Sequence, residues 1–199
     1  MKYLYSWTRA LLALIGLVVV IAGIAAGNYY ADEINGLKRL SKEAPAIYLS
    51  MFKDLIRTGD AAAATVIRVP LSDSVTAEDA EEAMKSVANA LNIKNVGELP
   101  LSKQIKLITG KPFRLLKIFL FCDPLTAGEM LDFSDSFSAY LPCRISMVED
   151  KNGKIWLYTL NMDLMIHGGA PLPFELEKKA LKVQKDIYQI MNSGAEGDF

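Results

Sequence analysis

Two cysteines, Cys122 and Cys143, and one histidine, His167, are the side chains of this 199-residue chain best suited to chemistry. Asp123 and Pro124 follow the first thiol; Leu141 and Pro142 precede the second and Arg144 follows it. Met162 and Met165 stand just before His167. Thiolate, thioether and imidazole are soft or borderline ligands, so their convergence would suit Cu(I), haem iron or another soft electrophile over magnesium or calcium. Nothing in the spacing enforces that convergence. The cysteines are too far apart for a CxxC redox or zinc motif and too few for a disulfide framework. They allow three states: inert buried thiols, one structural disulfide, or a reactive or metal-binding pair.

Each candidate also has a plainer reading. Met162 and Met165, three apart, suit core filling. His167, ahead of Gly168-Gly169, reads as a solvated loop histidine. Asp123 beside Pro124 reads as a helix cap, and its charge would raise the neighbouring thiol's pKa, whereas Arg144 would act oppositely on Cys143. Glu149 and Asp150 fall at a hairpin entrance and form no insulated carboxylate pair for acid catalysis. No phosphate-binding glycine loop, GxSxG elbow or HExxH helix occurs, so no catalytic residue is assigned. A net charge of -1, from 22 basic and 23 acidic residues mixed along the chain, excludes the electrostatic footprint of a nucleic-acid partner.

The elements that must position these groups are legible in part. Thr65 to Leu71 predicts a first strand, with Pro70 at its end. Thr76 with Asp79 predicts a capping box for a helix burying Ala80, Met84, Val87, Ala88 and Leu91. Ser102 predicts the cap of a short helix through Ile108, closed by Gly110. The apolar run Arg114 to Cys122 predicts a central strand with both faces covered. Leu125 to Phe133 reads as helix and Ser134 to Ala139 as loop. Strands over 144–149 and 154–160 are joined by a turn at Asp150-Lys151-Asn152-Gly153, the Asn-Gly hairpin signal. Phe174 to Met191 closes the chain as an amphipathic helix. Mixed strands and helices without strict alternation predict α+β: one compact domain with a mixed or antiparallel sheet packed by helices. If the two cysteine-bearing strands are antiparallel neighbours, both thiols share one end of the sheet. If parallel, they lie about a strand length, ~17–20 Å, apart.

The N-terminal region is of a different kind and raises the mean hydropathy of the chain to +0.19. Ala10 to Gly27 is an uncharged run near the ~20 residues needed to cross a bilayer. Tyr3, Tyr5 and Trp7 precede it and Tyr29 and Tyr30 follow, as interfacial aromatics would. Gly23-Ile24-Ala25 and Ala25-Ala26-Gly27 also offer a signal peptidase small residues, but the run exceeds the usual 7–15-residue apolar core, favouring an uncleaved anchor. Lys2 and Arg9 before the span, against Asp32 and Glu33 after it, predict an inner-membrane single-pass protein with its main domain outside the cytoplasm. The division expected is a leader over 1–9, a transmembrane helix over 10–27, a helical stalk over 28–60 and a domain over 61–199. In the stalk, Pro45 breaks the pattern. Ile47, Tyr48, Met51, Phe52, Leu55 and Ile56 then form an apolar stripe expected to pack on the domain.

The order Cys122-Asp123-Pro124, helix, Leu141-Pro142-Cys143, strand, Glu149-Asp150, turn with Gly153 and second strand resembles the bacterial domain of unknown function 302. The likeness covers roughly Thr65 to Met191. It departs from the pattern in the anchor, in an inserted segment over Asn95 to Lys111 and at His167-Gly168-Gly169. The resemblance implies a compact α+β fold and carries no biochemical role. The sequence therefore points to a membrane-held extracytoplasmic binding or accessory module, non-enzymatic, with a small ligand or a membrane protein as partner. Two rival readings stand beside it: a thiol-based redox, sulfur-handling or soft-metal or haem protein using Cys122 and Cys143, and a structural subunit of a membrane assembly.

Overall fold

The computed structural model describes residues 2–198. It comprises two units, divided after Leu40. The first holds helix α1 (Lys2–Tyr29) and the short α2 (Ala31–Leu37). Within α1, Ser6–Tyr29 is 24 residues long, its most apolar 18-residue window has a mean hydropathy of 2.7, and none of that window is buried in the protein. At ~1.5 Å per residue that segment extends about 36 Å, enough to cross ~30 Å of hydrocarbon.

The second unit begins at Ser41 and so includes α3 (Ala44–Thr58). Pro45 does not break this helix but starts it, lying in the first turn where an amide donor is dispensable. Gly59 ends it in the left-handed region, φ +67°. There follow strand β1 (Val66–Pro70), α4 (Ala77–Ala90), β2 (Lys94–Leu99), α5 (Leu101–Thr109), β3 (Leu116–Cys122) and α6 (Pro124–Phe133). The chain continues through β4 (Cys143–Glu149), β5 (Ile155–Leu160), α7 (Met162–His167) and α8 (Phe174–Glu196). One five-stranded sheet, ordered β1-β5-β4-β3-β2, is antiparallel at every pairing. The α+β architecture is as the sequence predicts.

Alternation along the strands separates the two faces of the sheet. Ile67 and Val69, Leu157 and Thr159, Ile145 and Met147, and Phe119 and Phe121 line up across four strands on the core face, beneath α4 and α8. The opposite row of Arg68, Tyr158, Ser146 and Ile118 is only half-buried or exposed. β3 is thus an interior strand with one covered face, not two; its apolar character overstates its burial. Thr76 and Asp79 form the reciprocal capping box of α4. On the other side of the core, Gly194 of α8 lies so close to α4 that a Cβ there would overlap Met84 Cγ.

The turn at Asp150–Gly153 joins β4 to β5 as expected. Asp150 Oδ1 accepts from the Asn152 and Lys154 amides, its Oδ2 accepts from Trp156 Nε1, and Gly153 adopts φ +82°. Three local readings need correction. Pro100, not Ser102, occupies the cap position of α5, and no side chain caps it. The segment read as an insertion contains β2, a sheet edge whose register shifts between Asn95 and Gly97. His167 ends a helix instead of lying in an open loop. The apolar stripe of α3 is only partly covered: Tyr48 is 42%, Phe52 55% and Ile56 69% exposed. Tyr48 still donates its hydroxyl to the Gly168 carbonyl at 2.9 Å, tying α3 to the segment after α7.

Candidate functional site

Because β3 and β4 are antiparallel neighbours, Phe121 pairs with Cys143 and both cysteines lie at one end of the sheet. Both are free thiols. Cys122 closes β3, where Asp123 turns the chain into α6. One Asp123 carboxylate oxygen accepts from the Leu125 and Thr126 amides, at 3.1 and 3.4 Å, and the other from the Thr126 hydroxyl. This is the predicted cap, and it commits the carboxylate to the helix. Cys143 opens β4 directly after the cis Leu141–Pro142 peptide.

The thioethers arrive from α7, a helix too short for its sequence to announce. Asn161 caps it by accepting the Asp163 amide at 3.0 Å. Two side chains of α8 hold it in place. The Tyr188 hydroxyl accepts the Met162 amide at 3.2 Å, and Gln184 Nε2 donates to Asp163 Oδ1 at 2.7 Å. Met162 and Met165 are thereby set against the cysteine end of the sheet.

Cys122, Cys143, Met130, Met162 and Met165 line one largely apolar, partly open cavity of about 30 Å³, with Asp123, Thr126, Ala127, Leu141, Ala180 and Val183 as the rest of its wall. A second cavity of about 20 Å³ lies against Cys143, Met162 and Met165 from the side of Tyr140, Arg144 and Asn161. The three sulfur-bearing side chains common to both cavities form the wall between them. Each cavity has room for about one water-sized particle, far below the ~300–1,000 Å³ of organic-ligand pockets.

The electrostatics favour protonated thiols. Burial pushes the Cys143 thiol up to about 11, with Cys122 adding in the same sense, and a backbone hydrogen bond and the Arg144 charge do not offset it. Cys122 is raised as well, by burial and then by the Asp123 charge. Neither thiol has the lowered pKa of a reactive nucleophile. Arg144 is exposed, and its Nη2 donates to the Ala139 carbonyl at 3.3 Å.

His167 does not line either cavity. Its imidazole is half-buried, with Nδ1 3.8 Å from Glu177 Oε1 on α8. The structure thus brings together the two thiols and the two thioethers, with Asp123 and Arg144 at the rim, and sets the imidazole apart. Met130 joins them without a sequence signal: it is an ordinary core position of α6, and nothing in its neighbours distinguishes it. Among the described residues no three His, Cys, Asp or Glu side chains cluster as a metal site built from those residue types would require.

The profile of the domain of unknown function DUF302 matches residues 67–194. The chain belongs to the DUF302 family. The DUF302 match opens within β1 and ends near the close of α8, so it takes in the whole sheet and the sulfur-lined cavity. β2 lies inside it and is part of the matched sheet. A solved structure described as an uncharacterised conserved DUF302 protein from Bacillus stearothermophilus is similar at a TM-score of 0.52 and 14% identity. The likeness covers 65% of this chain and 97% of that one and is a likeness of fold. No curated protein matches the chain.

Proposed function

We propose that this DUF302 protein is a membrane-held extracytoplasmic binding module, non-enzymatic, whose ligand site is the sulfur-lined cavity at the end of the sheet. The observation that carries the reading is the convergence of Cys122, Cys143, Met162 and Met165, from three separate elements, on one space of about 30 Å³. The raised thiol pKa values favour binding over thiol catalysis, since a fast exchange catalyst needs thiolate at ambient pH. The apolar α1 supports a fixed station at a bilayer, with Lys2 and Arg9 before the span favouring a domain outside the cytoplasm.

The test is native mass spectrometry of the full chain, extracted from membranes in detergent under anaerobic, reducing conditions. The expected result is a small mass increment that Ala127→Leu removes by filling the cavity while the melting temperature is kept. A chain that carries no increment, or one indifferent to Ala127→Leu, overturns the reading. A chain found two mass units light in a parallel extraction without reductant, with Cys122 and Cys143 joined, favours the redox alternative.

A further inference from the structure

We infer that the ligand of the cavity is a single soft monovalent cation, Cu(I), held by the thiolates of Cys122 and Cys143 with the thioethers of Met162 and Met165. The inference rests on the proposed binding function and specifies its ligand. Size, donor set and support behind the donors lead to it.

A cavity of about 30 Å³ has the room one ion needs. Cys143, Met162 and Met165 line both small cavities, and Cys122 lines the larger together with Met130, so the four proposed donors border one small space. Thioethers are poor ligands for hard cations, and thiolate with thioether is a set that selects Cu(I). The histidine that would broaden the site toward zinc lies elsewhere, beside Glu177. No third thiol, imidazole or carboxylate completes a tetrahedral zinc set among the described residues. Asp123 is held by the α6 cap.

Behind the ligands, Tyr188 and Gln184 fix α7 to α8, and Asp123 fixes the β3–α6 junction, so the donors are placed by hydrogen bonds that a bound ion need not supply. Loading is an exchange without change of oxidation state. Two S–H bonds break, two Cu–S bonds form, both protons leave to solvent, and the site passes from neutral to a net charge of -1. Arg144, whose charge already acts on Cys143, lies at the rim to offset that charge.

The experiment titrates the full chain in detergent, anaerobically and reduced, with Cu(I) supplied by the chromophoric competitor bicinchoninate. One equivalent is expected to transfer, with thiolate-to-copper absorption in the near ultraviolet. Met162→Leu with Met165→Leu keeps the packing volume and is expected to weaken binding by roughly 10- to 100-fold at an unchanged melting temperature. Cys122→Ser is expected to abolish it, and His167→Ala to leave it intact. The inference is overturned if Cu(I) stays with the competitor, if the double Leu variant binds as tightly as the parent, or if Zn(II) binds equally well. Should Cu(I) fail to bind while membrane-extracted protein still carries an increment sensitive to Ala127→Leu, only the copper assignment falls. Should both fail, the binding function falls with it.

Discussion

At the scale of single residues, the two cysteines differ in setting though they share one cavity. Both are half-buried, but the Cys143 thiol is pushed up to about 11, chiefly by burial, whereas Cys122 is raised by burial together with the Asp123 charge. A buried thiol of that kind holds its proton across neutral pH, and alkylation proceeds through the thiolate. Iodoacetamide at pH 8, followed by peptide mass analysis, is therefore expected to label Cys122 first and Cys143 more slowly. Both should react more slowly than a free cysteine in the same buffer. Faster-than-free labelling of either would contradict a raised pKa at that thiol. Stability follows the same sign. A folded thiol pKa raised above its unfolded value contributes fully below about pH 8.5 and loses that contribution as pH rises toward 11.

At the scale of elements, α7 and α4 show how side chains far from any ligand set the geometry. The Tyr188 hydroxyl is the acceptor for the first amide of α7. Tyr188→Phe is expected to cost about 1 kcal/mol in chemical denaturation and to raise amide exchange at Met162 and Asp163, because a buried donor loses its partner. α4 is stapled to the sheet by a four-membered ion network. Lys117 and Lys85 each reach both Glu81 and Glu98 at 2.6–2.7 Å. Burial pushes the Glu98 carboxyl up, but hydrogen bonds from Lys117, Lys85 and Asn95 outweigh it and hold the group at about 2. A depressed carboxylate stabilises the fold above its unfolded pKa, so this contribution is present above about pH 4.5 and is lost as pH falls toward 2. Denaturation midpoints measured between pH 6 and pH 2.5 should fall more steeply for the parent than for Glu98→Gln. The difference expected is about 1–2 kcal/mol after solvent screening of a partly exposed network. Parallel curves would show that the network contributes little.

At the scale of the whole molecule, the apolar α1 and the DUF302 domain make separate demands. Ser6–Tyr29 is long and apolar enough to cross a bilayer, and its most apolar window is uncovered in the protein. The full chain is expected to stay in the pellet through alkaline carbonate extraction and to enter solution only with detergent. The mature protein should also retain Tyr3 and Trp7 in its N-terminal peptides. A soluble product beginning near Gly27 would instead identify a removed signal sequence.

Sequence alone determined what depends on neighbours along the chain. The Thr76–Asp79 box, the Asp150–Gly153 hairpin and the Asp123 cap close hydrogen bonds over two to four residues. The stripe of α8 is similarly fixed by helical period, and α1 by composition. β2 escaped because Asn95, Gly97 and Glu98 interrupt any alternation and the strand is bulged; pairing with β3 makes it a strand. α7 escaped because six residues carry too little period to read. Its placement depends on Tyr188 and Gln184, more than twenty residues away in sequence. The motif residues Cys122 and Cys143 were visible from the start, but their meeting was not. Antiparallel pairing of β3 with β4 decided that both thiols share one end of the sheet, and the packing of α7 against α8 decided that the thioethers join them while His167 sits beside Glu177. These are long-range contacts formed by burial of a shared core, whose partners no local pattern names.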